Sequence, residues 1–378
     1  MRVQLRIQRK RRVFLWVLFI FGILPVTLKG EITCIGNPTP THVEKKTDVV
    51  ELVKVGEIPY NLNEEFAQAL PTFIVGDNEG NIFVFDYRNK KIFKFDKNYR
   101  LIKTFGKQGT GTGELGTGAG YNEVYFSGAD RLYVTDISNK KILEFDGDGK
   151  HLKDYPFPPR EKRQYCKSVF PLVTSDGGFY GRSDFQCTLD AYNIHDKEQK
   201  KRYSLLGLDD CSRCIMIKPS EMDANFWTRT DVKNTFYDLA GDGRLLVYMA
   251  NASTLYIFKN DTLVKQFNIW PKDALELYGR TWREYDKDRP AEHPLLIYMF
   301  RKFFMDKDDE NHFYLEINAD LEKKPLLYGF DLEGNLEKIL AAPYYCYFLY
   351  KKNNLFYARA RDHIAIFKAP EPTPGNRP

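Results

Sequence analysis

Basic and aromatic side chains recur in the predicted turns and long connections of this 378-residue chain. One group lies in two matching turns and in the connection between them: Arg88, Lys90, Lys91, Lys107, Lys140 and Lys141. A second group lies in the connection 271–300: Arg280, Trp282 and Arg283. Arginine and aromatic residues are enriched at binding hot spots, and they also suit sugars and anionic ligands. All these residues are candidate ligand-binding residues. The alternative is structural: the lysines are solvated turn residues and the aromatic side chains fill the fold.

Local catalytic motifs are absent from the sequence. It contains neither G-x-S-x-G nor H-E-x-x-H, and its six histidines lack the spacing of metal ligands. Cys211 and Cys214 are compatible with a redox pair, half of a zinc site or a local disulfide, but no second pair of ligands follows them. We therefore expect the six cysteines to be free thiols or disulfides. Catalysis would need a site assembled from distant parts of the chain.

The two matching turns belong to one sequence pattern that occurs twice. Asn81–Phe105 reads NIFVFDYRNKKIFKFDKNYRLIKTF, and Arg131–Tyr155 reads RLYVTDISNKKILEFDGDGKHLKDY. Asp86 matches Asp136, an offset of 136 − 86 = 50 residues. A fixed period of this size indicates a repeat architecture. In each copy an Asn follows the Asp three residues later, which predicts a side-chain turn that holds the loop.

Each copy predicts four short antiparallel strands. Runs rich in Phe, Tyr, Ile and Val alternate with turn residues. Such a unit buries little by itself, and radially stacked units of this kind are the blades of a β-propeller. Four further units follow at Phe170–Gly207, Asn234–Trp270, Arg301–Ala342 and Tyr345–Pro370. The sequence therefore predicts an all-β fold over residues 49–370, a six-bladed β-propeller of four-stranded antiparallel blades.

The last predicted unit contains only three strands. The lone strand Val49–Pro59 has no partner in its own part of the sequence. Because ring closure removes open sheet edges, we expect this N-terminal strand to supply the missing fourth strand and to close the propeller.

Blade geometry sorts the connections between two faces. Connections between blades, and those from the second to the third strand, open on one face, and the remaining hairpins open on the other. The long connections between blades are 106–122, 156–169, 208–233 and 271–300. Long loops in compact domains are usually functional or disordered. This side, named here the long-loop face, is the predicted binding surface.

Two acidic residues, Glu123 and Asp238, begin or lie in predicted inner strands. Inner strands line the central channel of a propeller. Carboxylates placed there are candidate ligands for a divalent cation such as Ca²⁺.

Residues 1–30 differ from the rest of the chain. A basic block at 6–12 precedes the apolar run Val13–Leu28, which predicts an export signal. The run is shorter than the roughly 20 residues of a spanning helix, and an uncleaved signal-anchor is the alternative. We expect residues 31–48 to be a linker and residues 371–378 to be a disordered tail. The predicted location is the periplasm or cell envelope, with membrane contact only through an uncleaved N-terminal segment.

Charge argues against a nucleic-acid partner. The formal net charge is +5, from 56 basic and 51 acidic residues. Five of the basic residues lie in the N-terminal block 6–12: Arg6, Arg9, Lys10, Arg11 and Arg12. The rest of the chain is close to neutral, which excludes a global nucleic-acid-binding charge.

The sequence KTFGKQGTGTGELG at Lys103–Gly116, followed by LYVTDISNKKILEFD, resembles the NHL-type repeat of six-bladed propellers. The chain is similar to exported bacterial six-bladed propeller proteins of the NHL-like or TolB-like type, and this similarity is strongest over residues 49–155. NHL repeats usually carry Arg where Lys91 and Lys141 stand, a departure that puts the family's usual loop contacts in doubt. The resemblance implies a fold and an exported location, but no single activity.

Two functions follow as expectations. The first is a non-catalytic, exported module without a cofactor that binds a protein, peptide or carbohydrate through the long-loop face. The alternative is a metal-dependent propeller hydrolase or lyase with a divalent cation in the central channel, as some six-bladed propellers have.

Overall fold

Antiparallel strands dominate the chain. The computed structural model describes residues 32–34, 42–43, 48–117, 124–127, 130–157, 172–173, 178–183, 188–193, 199–204, 216–217, 228–229, 235–240, 242–249, 254–259, 262–271, 300–317 and 324–370. Within these residues a 3₁₀ helix spans Tyr60–Leu62 and a short α-helix, α1, spans Glu64–Ala67. The predicted export signal at 1–30 and the tail at 371–378 lie outside the described residues.

The strands of the described residues, in chain order, are β1 Ile32–Cys34, β2 His42–Val43, β3 Val49–Glu51, β4 Val53–Pro59, β5 Pro71–Gly76, β6 Ile82–Asp86, β7 Lys91–Phe95, β8 Leu101–Phe105, β9 Lys107–Gln108, β10 Glu114–Leu115, β11 Val124–Ser127, β12 Arg131–Asp136, β13 Lys141–Asp146, β14 His151–Pro156, β15 Leu172–Val173, β16 Gly178–Ser183, β17 Thr188–Asn193, β18 Gln199–Ser204, β19 Met216–Ile217, β20 Thr228–Arg229, β21 Thr235–Leu239, β22 Leu245–Met249, β23 Thr254–Lys259, β24 Thr262–Asn268, β25 Trp270–Pro271, β26 Phe300–Met305, β27 His312–Ile317, β28 Leu326–Asp331, β29 Leu336–Ala341, β30 Tyr347–Lys352, β31 Leu355–Arg359 and β32 His363–Lys368.

These strands form antiparallel meanders. Sheets A (β5–β8), B (β11–β14) and D (β21–β24) each contain four consecutive strands. Sheet C is β15–β18 with β1 added, sheet E is β26–β29 with β3 added, and sheet F is β30–β32 with β4 added. Sheets A and B are the two copies of the sequence repeat. The predicted class, an all-β propeller with four-stranded antiparallel blades, is confirmed.

The first strand of each sheet is the innermost one. Contacts join β5 to β11, β11 to β15, β21 to β26, β26 to β30, and β30 back to β5. The sheets joined by these contacts therefore stand side by side around an axis, with their first strands towards the central channel.

The core lies between adjacent sheets. In β6, Phe83 and Phe85 pack with residues of sheet B, whereas Ile82 and Val84 pack with residues of sheet F. Side chains alternate between the two faces of a strand, and here both faces are covered by a neighbouring sheet. This explains why the blade strands read as nearly continuous apolar runs instead of alternating ones.

The N-terminal strand closes the fold as predicted, but it is divided between two sheets. β4 pairs antiparallel with β32 and completes sheet F. The preceding β3 pairs parallel with β29, on the outer edge of sheet E. Leu52, between them, is buried and donates its backbone N–H to Ala341 O at 2.8 Å. The segment thus links two neighbouring sheets.

Part of the predicted linker 31–48 is also paired. β1 lies parallel to β18 on the outer edge of sheet C, and β2 lies parallel to β25. Outer strands present unpaired N–H and C=O groups, and an extended polar segment satisfies them at little steric cost. In the part of the chain that the structure describes, no helix has the length and apolar character needed to cross a bilayer.

Candidate functional site

The aspartates of the two matching turns hold the long-loop face together. Asp86 is buried, and its Oδ1 accepts hydrogen bonds from the backbone N–H of Leu70 at 2.8 Å and of Arg88 at 2.9 Å. Asp136 is buried in the same place of sheet B, and its Oδ2 accepts from Gly116 N at 2.8 Å. The predicted side-chain turns are confirmed. Each aspartate also fixes the segment that enters its own sheet.

Lys141 fixes the glycine-rich connection 107–116 against sheet B. Its Nζ donates to Gly111 O at 2.6 Å and to Asp154 Oδ2 at 2.9 Å. Gly113, at φ +72°, donates its N–H to the same carboxylate oxygen at 3.1 Å. Lys141 is only 8% exposed. The described contacts of Lys141 are therefore those of a residue that positions a loop.

Two more candidate lysines form ion pairs with nearby carboxylates. Lys91 pairs with Glu65 of α1. Lys107 pairs with Glu114 at 2.6 Å across the base of the glycine-rich connection. The hydrogen bond to Glu114 raises the pKa of Lys107, because it favours the charged form.

Arg88 and Lys140 are exposed on the long-loop face. The Arg88 Nη1 donates to Gln68 O at 3.1 Å, so the guanidinium is held beside α1. Four other predicted site residues lie outside the described residues: Glu123, Arg280, Trp282 and Arg283. Their roles remain predictions.

Lys90 differs from the other candidates. It is 2% exposed, and its Nζ lies 3.8 Å from the centroid of the Tyr87 ring. Among the described residues this Nζ has no hydrogen-bond partner. Burial lowers the pKa of Lys90, while the charges of Asp136 and Asp86 oppose that change.

The predicted metal ligand Asp238 joins two sheets. Its Oδ2 accepts from Met305 N at 2.7 Å, and its Oδ1 pairs with Lys307 at 2.6 Å. Both oxygens therefore have protein partners. The described residues contain no group of three or more His, Cys, Asp and Glu placed to hold a metal ion.

Sequence reasoning missed a set of β-bulges in the innermost strands. They lie in three strands, between Pro71 and Phe73 of β5, between Phe300 and Lys302 of β26, and between Phe348 and Tyr350 of β30. These strands belong to sheets A, E and F, which are neighbours around the channel. A bulge bends its strand and re-aims side chains, and bulges are over-represented beside active sites.

Two cationic side chains meet the bulged segment of β5 from different sheets. Lys302 Nζ lies 4.6 Å from the centroid of the Phe73 ring. Arg359 Nη1 donates to Pro71 O at 3.0 Å, and its guanidinium carbon lies 4.7 Å from the centroid of the Tyr347 ring. Because β30 lies between β26 and β5, the Lys302 side chain passes in front of β30, within the central channel.

Thr72 is the extra residue of the β5 bulge, between the contacts made by Arg359 and Lys302. Its Oγ1 is buried, with no hydrogen-bond partner in the described part of the chain. The five residues of this site are half-buried and are named here the channel-mouth cluster: Thr72, Phe73, Lys302, Tyr347 and Arg359.

Two lysines on the opposite face form ion pairs with carboxylates of neighbouring sheets. Lys351, on β30, pairs with Asp306 at 2.5 Å and with Asp308 at 2.9 Å. Lys307 pairs with Asp238 in the same way. These ion pairs join neighbouring sheets on the face that carries the short hairpins. In the channel-mouth cluster the described contacts of Lys302 and Arg359 include aromatic rings.

The sequence carried a signal for this cluster. Proline removes a ladder hydrogen bond, so Pro71 at the start of β5 favours a bulge or an edge. Lys302 follows Arg301 within the otherwise apolar FRKFFM. Charged residues inside an apolar strand are unusual enough to mark a functional position.

No protein-family model and no curated protein sequence matches the chain. Solved structures share its fold. A member of the DUF4221 family from Bacteroides vulgatus is 13% identical, with 85% of this chain and 98% of that chain covered and a TM-score of 0.55. A Bacteroides fragilis protein predicted to be exported is 12% identical, with 90% and 100% covered and a TM-score of 0.51. At these identities the similarity establishes the fold alone.

A virginiamycin B lyase from Staphylococcus aureus is 10% identical, with 81% of this chain and 82% of that chain covered and a TM-score of 0.45. This similarity is too low to carry an argument about catalysis.

Proposed function

We propose that the chain is a non-catalytic binding module that captures a protein, peptide or carbohydrate at the channel mouth of the long-loop face. The observation that carries this proposal is the channel-mouth cluster. Cations from two sheets lie over aromatic rings and converge on one bulged segment, Pro71–Phe73. Arginine and aromatic residues are the types enriched at binding hot spots.

The proposal includes a six-bladed ring of the NHL-like or TolB-like type. Its support is that sheets A–F each contain at least four strands, and that most neighbouring first strands touch. The family assignment rests on the sequence resemblance over residues 49–155.

Export to the periplasm or cell envelope is also part of the proposal. It is supported by the basic block and apolar run of residues 1–30. The structural similarity to a Bacteroides fragilis protein predicted to be exported is consistent with it.

The contacts of the candidate metal ligand favour binding over metal-dependent catalysis. Both oxygens of Asp238 are engaged by Met305 N and Lys307. The Lys302 ammonium lies in the channel, where its charge opposes the binding of a cation. A hydrolase or lyase with a channel cation would have to displace these contacts.

Capture by variants of the full chain tests the proposal. We expect the parent chain to bind at least one member of a panel of immobilised oligosaccharides and peptides. Lys302→Met and Arg359→Gln should each weaken that binding at least tenfold, since they remove the cations of the channel-mouth cluster. Lys259→Gln is the matched control, because Lys259 is an exposed cation of the opposite face that already pairs with Asp242. Equal capture by all variants would contradict the assignment.

A further inference from the structure

We propose that the channel-mouth cluster is a carboxylate site, in which Arg359 and Thr72 bind an ionised carboxylate of the ligand. The inference rests on the proposed function and specifies the chemical group by which the ligand is anchored. It also accounts for the buried hydroxyl at the bulge.

The cluster contains hydrogen-bond donors that lack acceptors. Arg359 has five N–H donors, and its described hydrogen bond, from Nη1, goes to Pro71 O. No carboxylate of the described residues forms an ion pair with Arg359. The Thr72 hydroxyl, one residue after that carbonyl, is buried with no partner in the same part of the chain. Buried polar groups are normally satisfied, so an acceptor from outside the chain fits this place.

A second hydroxyl without a described partner belongs to Tyr60, the residue that follows β4. The Tyr60 hydroxyl is buried and has no hydrogen-bond partner in the described part of the chain. Burial raises the pKa of Tyr60, and the positive charge of Arg359 opposes that rise. Arg359 and Thr72 thus provide donors beside one bulged segment, and Pro71 O is the acceptor described there.

An ionised carboxylate matches these donors. It is an acceptor with two oxygens and no proton to donate, and the guanidinium fork binds it with two parallel hydrogen bonds. A neutral amide or hydroxyl ligand would bring donors of its own. A metal cation would face the charges of Arg359 and Lys302.

The site is organised before ligand arrives. The hydrogen bond to Pro71 O and the Tyr347 ring fix the Arg359 side chain on two sides. A guanidinium held in this way loses little conformational freedom on binding. Lys302, on the Phe73 ring, adds a second positive charge within the channel. The nearby Asp362 is engaged elsewhere, with His363 Nδ1 at 2.6 Å.

Fluorine NMR on the full chain tests the proposal with two isosteric probes. Trifluoroacetate carries a carboxylate, and trifluoroacetamide has nearly the same shape without the charge. At constant ionic strength we expect the protein to broaden the trifluoroacetate signal only, and acetate, but not acetamide, to reverse that broadening. Arg359→Gln and Thr72→Val should each weaken the binding of trifluoroacetate at least tenfold. Lys259→Gln, at an exposed cation of the opposite face, should leave it unchanged.

Arg359→Lys provides the second measurement. It keeps the charge but removes the planar fork, so it should lose most of the affinity while melting at the temperature of the parent. Equal binding of the two probes, full affinity in Arg359→Lys, or tighter binding of inorganic phosphate would each overturn the carboxylate assignment.

The outcome is separable from that of the proposed function. Capture that depends on Lys302 and Arg359, without any preference for trifluoroacetate, would refute the carboxylate assignment and leave the binding module standing. A preference for trifluoroacetate without capture of any panel member would refute the binding module and leave the carboxylate site standing.

Discussion

Lys90 and Lys140 occupy the same position in the two copies of the repeat, but their surroundings differ. Both have left-handed backbones, with φ +55° and +54°. Lys90 is 2% exposed and has a buried Nζ without a described hydrogen bond, whereas Lys140 is exposed. Equivalent residues of a repeat face different neighbours, and for Lys90 the neighbouring charge is Asp136 of sheet B.

Substituting both lysines isolates the effect of burial. We expect Lys90→Met to have a free energy of unfolding about 1 kcal/mol higher at pH 7 than Lys140→Met, because it removes a buried ammonium with no hydrogen bond. The two positions share their backbone strain, so that contribution cancels. Urea unfolding followed by circular dichroism measures the difference. Equal stabilities would show that water or the ligand satisfies Lys90.

The same pair gives a pH dependence with a defined sign. The pKa of Lys90 is lowered in the folded state, so between that pKa and the unfolded value of about 10.4 the unfolded chain binds more protons. Stability should therefore rise with pH through that window. Lys90→Met should lack this rise, whereas Lys140→Met should keep it.

Local chemistry was predictable from the sequence, and long-range partners were not. The turns of Asp86 and Asp136 depend on residues within a few positions, so the pattern sufficed. Lys141 depends on Asp154 and on the path of a glycine-rich loop, which the lysine pattern does not encode. Thr72 acquires its importance from Arg359 and Lys302, which lie more than two hundred residues away in the sequence.

The N-terminal closing strand was predicted in part from the sequence. Alternation in VVELVKVGEIP predicted a strand and its role in closure, and β4 fulfils both. The break at Leu52 was not predicted, because it depends on where the outer edges of sheets E and F lie relative to each other. The pairing of linker residues was missed for the same reason. β1 and β2 are strands because they pair with β18 and β25, and not because of their local sequence propensity.

Substitutions at two residues of β4 test how strongly the closing strand stabilises the fold. Ile58 is fully buried in the core between sheets A and F, and Val55 is 52% exposed on the same strand. We expect Ile58→Ala to lower the free energy of unfolding by about 2–5 kcal/mol, through lost burial and the cavity it leaves. Val55→Ala should change it by less than about 0.5 kcal/mol.

Urea unfolding of both variants gives these values. A small effect of Ile58→Ala would mean that β4 is detached in solution and that the ring remains open. A large effect of Val55→Ala would place an unseen partner on the outer edge of sheet F.

At the scale of the whole molecule, the repeat was enough to predict a propeller. The sequence similarity fades after residue 155, yet sheets D, E and F repeat the same meander. Stacking explains this persistence, because any strand buried on both faces can be apolar without matching its equivalent residue by residue. The ties between sheets, such as Lys351 with Asp306, vary from one interface to the next and could not be predicted from the period.

Circular permutation tests whether the ring depends on where the chain begins. Lys368, at the end of β32, is paired with Val53, at the start of β4. A permutant would run from Tyr60 to Pro370, continue through a linker of about eight Gly and Ser residues, and end with residues 48–59. Such a linker typically spans roughly 16 Å, enough to reach the start of β3. The pairing of β3 and β4 is retained, so we expect a cooperative fold within about 2 kcal/mol of unpermuted residues 48–370, since the cost of closing a loop grows slowly with its length. Ile58→Ala within the permutant should lower the free energy of unfolding by as much as it does in the parent.

A permutant that folds but is insensitive to Ile58→Ala would show that the sheets stack without the closing strand, and the channel mouth would then be held by sheets A, E and F alone.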